Sequence, residues 1–218
     1  MRVKICGLRD RAGLDGAVAA GAAYAGFVFF PPSPRCIGWE EAAALGAAAP
    51  PGLCKVGLVV DPDDATLDRL AALPLDMIQL HGAETPERAA AIRARLGLPV
   101  MKAVGVSCPD DLAALDLWER VADQILCDAK PPKSATRPGG MGEPFDWGLI
   151  AGRRWRRPWL LAGGLTPENV AEAVARTGAA QVDVSSGVES APGVKDPARI
   201  AAFCAAARRQ PSAQATAR

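Results

Sequence analysis

The chain has 218 residues, 50% of them hydrophobic and 22% charged, which suits one globular domain with a large core. Lys and Arg number 25 against 24 Asp and Glu, with no long basic run, so nucleic-acid binding has no electrostatic support. No stretch approaches the ~18 consecutive apolar residues of a membrane span, so no membrane partner is expected.

The N-terminal Met1-Arg2-Val3-Lys4 enters a strand directly and carries no signal-peptide pattern. Strand-like runs follow near 2–6, 24–30, 53–60, 76–80, 99–105, 124–128, 158–162 and 181–185. Ala-rich helical patterns alternate with them near 9–20, 39–48, 63–73, 84–96, 109–121, 145–152, 167–176 and 196–207. Eight strand-helix units in this length predict an α/β chain folded as a single-domain (β/α)8 TIM barrel over 1–207. A doubly wound open sheet is the alternative, and no Gly-rich dinucleotide turn after the first strand supports it. Residues 129–144, rich in Pro and Gly, form the longest irregular stretch, readable as a lid or as a plain surface loop. The polar tail 208–218 is expected to be disordered. The six cysteines (Cys6, Cys36, Cys54, Cys108, Cys127, Cys204) form no CxxC pair and read as reduced thiols in a cytoplasmic protein. A single histidine, His81, excludes metal sites built on two, and neither a metal nor an organic cofactor is expected.

Alternation along each strand sets which side chains face the barrel interior. Val3 and Ile5 suit the helix side, which turns Lys4 and Cys6 inward, with Cys6 at the mouth. By the same rule Gln79 and His81, then Gln124, Leu126 and Asp128, then Gln181, Asp183 and Ser185 face inward. A thiol and a carboxyl at strand ends across one pocket suggest proton transfer. A buried Lys4 needs a partner, and Asp183 on the strand that closes the barrel is the natural one. Gly163-Gly164 after the seventh strand and Ser185-Ser186-Gly187 after the eighth form a candidate phosphate grip, where backbone N–H groups approach an anion unhindered.

Taken in order from residue 3 to 203, the motifs resemble the phosphoribosylanthranilate isomerase family. They include Lys4-Ile5-Cys6-Gly7-Leu8, Ser33-Pro34-Arg35, Gln79-Leu80-His81-Gly82, Leu126-Cys127-Asp128-Ala129-Lys130, Leu161-Ala162-Gly163-Gly164-Leu165 and Val182-Asp183-Val184-Ser185-Ser186-Gly187-Val188-Glu189. Met141 departs from the Thr or Asn common at its place, and with no synthase domain attached the chain looks like the stand-alone form. The resemblance implies an Amadori rearrangement of a small phosphorylated substrate, with Cys6 as general base and Asp128 as general acid. It assigns Arg35 to the substrate's aromatic carboxylate, which a guanidinium matches with paired hydrogen bonds. Asp183 and His81 are read as candidate substrate contacts or as supports of the pocket, Asp183 in the second case as the partner of Lys4, and His81 as packing or supporting more than catalytic. Lys4 is a plausible electrostatic neighbour that would help ionise Cys6. Rival readings are another phosphosugar barrel, such as a histidine-pathway aminoaldose isomerase, or a non-catalytic phosphate-binding barrel. Oligomeric state is left open, with a monomer favoured.

Overall fold

A computed structural model of the chain describes residues 1–129 and 147–209. Eight parallel strands close into a barrel in sequence order: β1 Arg2–Cys6, β2 Tyr24–Val28, β3 Cys54–Val59, β4 Met77–Leu80, β5 Val100–Val106, β6 Gln124–Ala129, β7 Trp159–Ala162 and β8 Gln181–Val184. The closing pair aligns Lys4 with Asp183 and Ile5 with Val184.

The alternation read from sequence is the alternation found. Val3, Ile5, Ile78, Leu80, Ile125, Cys127, Val182 and Val184 are buried in the layer between barrel and helices. Tyr24, Val56, Met101, Ala103, Leu126, Leu160 and Ala162 fill the interior. The floor is polar but paired: the Tyr24 hydroxyl donates to Gln181 Oε1 at 2.7 Å, and Gln124 Nε2 donates to the same oxygen at 3.3 Å.

The outer layer comprises α1 Arg11–Ala19, α2 Trp39–Ala48, α3 Asp64–Ala71, α4 Pro86–Leu96, α5 Leu112–Trp118, α6 Val170–Thr177 and α7 Pro197–Arg208. Side chains of Asp10, Asp63, Thr85 and Asp196 accept backbone N–H groups at helix starts, which takes up donors the helix itself leaves unpaired. The helix expected near 145–152 is, among the described residues, only a 3-10 turn at Trp147–Leu149. Gly148 and Gly152 weaken helix propagation there, while Trp147 and Ile150 still bury and fill the layer. The helix expected over 109–121 starts with a 3-10 turn at Pro109–Asp111 and ends at Trp118.

One element was not anticipated. After β8 and a 3-10 turn at Ser186–Val188, the chain forms an antiparallel hairpin of β9 Glu189–Ala191 and β10 Val194–Lys195. The lid reading of 129–144 falls, beyond Ala129, outside the described residues. At the other end α7 reaches Arg208, whose guanidinium donates to the carbonyls of Ala20 and Gly21 at 2.8 and 2.6 Å. The remainder of the predicted tail, beyond Arg209, also lies outside them. Among the described residues no helix is long and apolar enough to cross a membrane.

Candidate active site

A cavity of about 450 Å³ opens at the C-terminal ends of the strands, within the range typical of small-ligand sites. Cys6 from β1, Arg35 after β2, His81 after β4, Asp128 from β6, Gly163 and Gly164 after β7, and Asp183, Ser185 and Ser186 at the end of β8 all line it. Gly187 does not. A Cβ there would lie 2.0 Å from the Leu165 carbonyl oxygen, so the glycine lets the loops after β7 and β8 pack together.

Cys6 ends β1 and is almost fully buried. Its carbonyl accepts a hydrogen bond from Ser185 Oγ at 3.1 Å. Lys4, two residues back on the same face, is 0% exposed and pairs with Asp183 Oδ1 at 2.8 Å. Room for this group comes from Gly26 on the neighbouring strand. A Cβ there would stand 3.0 Å from Cys6 Cα, 3.1 Å from Lys4 Nζ and 3.2 Å from Cys6 Sγ. Burial opposes the charge on Lys4, but Asp183 and the nearby thiol more than offset it and hold the ammonium protonated.

The thiol itself is pushed above its ordinary range. Burial is the largest cause; Lys4 pulls the other way, Asp183 adds to the rise, and Lys195 opposes it. Lys4 therefore tempers the thiol without making it a resting thiolate, because burial outweighs it. The thiolate absorbance of wild type minus Cys6→Ala should accordingly titrate above about pH 8.5, the value of a free thiol. A midpoint below that would mean that the lysines outweigh burial. Cys127 is no rival: it faces the helix layer, and burial followed by the Asp128 charge pushes its thiol to about 12.

Asp128 reaches the cavity from β6, with β7 and β8 between it and β1. Its Oδ2 lies 3.5 Å from His81 Nε2. His81 is thereby placed beside the carboxyl at the cavity. Gln79 was read only as an inward side chain, yet it lines the cavity. It is buried, and its Oε1 has no hydrogen-bond partner among the described residues. That unpaired oxygen is itself buried, in the wall of the cavity rather than open to it.

Arg35 is already engaged. Its Nε and Nη2 donate to Glu189 Oε1 and Oε2 at 2.7 and 2.8 Å, a two-pronged pair with the first residue of the hairpin. Lys195 Nζ donates to Glu189 Oε1 at 2.7 Å and to the Ser185 carbonyl at 3.0 Å. Burial would raise the Glu189 carboxyl, but Arg35 and Lys195 outweigh it and hold the carboxyl below its usual range. Opposite, Gly164 has φ +61, the left-handed region that favours glycine. Asn169 fixes this turn by donating Nδ2–H to the Gly164 carbonyl at 2.9 Å and accepting the Thr166 N–H at 2.8 Å. Neither the Gly164 nor the Ser186 amide N–H finds a protein acceptor among the described residues. Among those residues, no cluster of three or more His, Cys, Asp or Glu side chains could hold a metal ion.

The family model for N-(5'-phosphoribosyl)anthranilate isomerase matches residues 3–206. The chain belongs to the phosphoribosylanthranilate isomerase family. The N-(5'-phosphoribosyl)anthranilate isomerase of Cereibacter sphaeroides is 65% identical over 209 residues, covering 95% of this chain and 99% of that one. The crystal structure of the Thermotoga maritima phosphoribosylanthranilate isomerase superposes with a TM-score of 0.85 at 40% identity, over 95% of this chain and 98% of that one. A second solved phosphoribosylanthranilate isomerase has a TM-score of 0.82 at 38% identity, covering 95% of this chain and 98% of that one. It is in complex with reduced 1-(o-carboxyphenylamino)-1-deoxyribulose 5-phosphate.

Sequence reading assigns no part to Glu189 and Lys195, which stand behind the cavity wall and hold Arg35 there. The available signal was Pro192-Gly193, a turn dipeptide between two short runs, with Gly193 at φ +79. It marks a hairpin, but not the arginine that the hairpin grips.

Proposed function

We propose that this chain catalyses the Amadori rearrangement of N-(5-phosphoribosyl)anthranilate to 1-(2-carboxyphenylamino)-1-deoxyribulose 5-phosphate, with Cys6 as base and Asp128 as acid. The observation that carries this reading is a thiol and a carboxyl from β1 and β6 in one cavity, between a guanidinium and two loops with open backbone donors. Asp128 gives its proton to the furanose oxygen as the C1–O bond breaks, and the anilino nitrogen lone pair forms the protonated imine. The Cys6 thiolate then removes the proton from C2, and the electron pair moves to neutralise the imine as an enolamine. Tautomerisation to the ketone completes the isomerisation.

The raised thiol does not conflict with this. Thiolate with carboxylic acid and thiol with carboxylate hold the same single proton, so the productive pair needs no excess of thiolate in the resting site. Arg35 takes the substrate carboxylate. Gly164 and Ser186 offer N–H groups to the phosphate, with Ser185 and Gly163 completing that wall and Gly187 packing the two loops. Asp183 fixes Lys4 beside the thiol, and His81 orients Asp128. A monomer is favoured, and free thiols suit a cytoplasmic setting.

Complementation tests the reaction directly. A tryptophan auxotroph lacking this isomerase should grow with the wild-type gene and not with Cys6→Ala. Failure of the wild type to rescue, with the protein expressed and folded, would overturn the assignment. The phosphate end has its own test. Ser186 is exposed at the start of a 3-10 turn, where an aspartate fits the backbone. Ser186→Asp should place a negative charge where the phosphate binds, raise KM by roughly 10-fold or more through like-charge repulsion, and abolish competition by inorganic phosphate. Intact competition would move the phosphate to other loops.

A further inference from the structure

We infer that Glu189, backed by Lys195 on the hairpin after β8, is a positioning residue that sets the guanidinium of Arg35 for the substrate carboxylate. The inference rests on the reading of Arg35 as the carboxylate anchor. Arg35 is held at three levels. Its backbone N–H donates to Ser33 Oγ at 3.2 Å. Its stem lies against Gly7, where a Cβ would come within 2.8 Å of Arg35 Cδ. Its head meets both oxygens of Glu189. Those two bonds use Nε–H and one Nη2–H of the five N–H donors, and Nη1 has no acceptor among the described residues. The side chain is 24% exposed and lines the cavity, so its unused edge faces ligand space.

A carboxylate on Arg35 would by itself work against an incoming carboxylate, since an Arg–Glu pair is neutral. Lys195 changes that sum. Its side chain is 2% exposed, that of Glu189 is 5% exposed, and they meet at 2.7 Å. Arg35, Glu189 and Lys195 together carry one net positive charge, so the substrate still meets an attractive field. Two buried charges are costly to keep, which leaves the pair a poor device for stability alone. What it supplies is a guanidinium whose many rotamers are already reduced to one, so less freedom is lost when the ligand binds.

The test is titration of the reduced, non-reacting product analogue into wild type, Glu189→Gln, Arg35→Met and the double variant, with kcat and KM measured alongside. Arg35→Met should weaken binding by roughly 10–100-fold, the loss of one charged contact. Glu189→Gln should weaken it by about 5–10-fold and raise KM more than it lowers kcat. The double variant should bind no worse than Arg35→Met alone, because Glu189 acts only through the arginine. An analogue without the aromatic carboxylate should bind wild type and Glu189→Gln alike. Additive losses in the double variant, or unchanged or tighter binding by Glu189→Gln while Arg35→Met is weak, would overturn the inference and leave Arg35 as the anchor. Unchanged binding by Arg35→Met would overturn the anchor reading itself, and the inference with it. If Glu189→Gln does not fold, Glu189→Gln/Lys195→Met removes both buried charges, keeps the net charge of the group, and supports the same comparisons.

Discussion

Replacing Cys6 by alanine is expected to lower turnover by ~10²-fold or more, and Asp128→Asn to do the same, because positioned acid and base groups contribute ~10²–10⁴-fold. Both proteins should remain folded. Asp128 lies at the strand end on the cavity rim, and asparagine keeps its shape. Cys6→Ala removes one sulfur from a small cluster with Val28 and Leu58 at the mouth rather than from the main core. Steady-state assays on variants with wild-type circular dichroism decide the matter. Near-normal turnover in either variant would remove that residue from its role. Because the two act on successive steps that share one proton inventory, the double variant should fall less than the product of the single losses.

The largest stability effect should come from Asp183→Ala. Lys4 has no exposure at all, and Asp183 is its charged partner at 2.8 Å. Removing one member of a buried pair strands the other, at a cost of about 3–5 kcal/mol. Surface pairs such as Arg95 with Asp68 should matter little, since solvent already screens them. The denaturant midpoint should therefore drop sharply for Asp183→Ala. It should recover most of that loss in Lys4→Met/Asp183→Leu, where nothing charged remains buried. Equal midpoints for wild type and Asp183→Ala would mean that the ammonium finds another acceptor or gives up its proton at small cost. Activity supplies a second reading. The repaired double variant should fold well and still work poorly, because the thiol has lost its nearest cation.

Strand identity and facing were legible because a buried strand obeys a period of two. That rule turned Lys4, Cys6, Asp128 and Asp183 to one side, and barrel closure with the need of a buried ammonium for a partner joined Lys4 to Asp183 across the seam. The 3-10 turn in place of the helix expected near 145–152 was not legible: the apolar spacing of Trp147 and Ile150 satisfies a 3-10 turn as well as a helix, and periodicity over so few residues cannot separate them. The partner of Arg35 was hidden for a different reason. Glu189 lies 154 residues away, and no local pattern encodes a contact at that range. Gln79 was read as inward, but its unpaired oxygen is a property of the assembled cavity. The glycines after β7 and β8 looked alike in sequence. Gly164 bends the chain at the cavity, whereas Gly187 yields space to a neighbouring loop.

The junction of the first and last strands has a consequence for how the working protein comes into being. Lys4 and Asp183 are separated by 179 positions, so the lysine strand leaves the ribosome long before its mate is made. Until then an ammonium destined for full burial stays in water, and the thiol beside it is an ordinary one. Contacts this distant in sequence form late, after the chain has met the entropy of closing a very long loop. The proposed reaction centre is thus finished by the same event that closes the barrel. A polypeptide that stops short of β8 lacks Asp183 and the seam with it, and is expected to show no turnover.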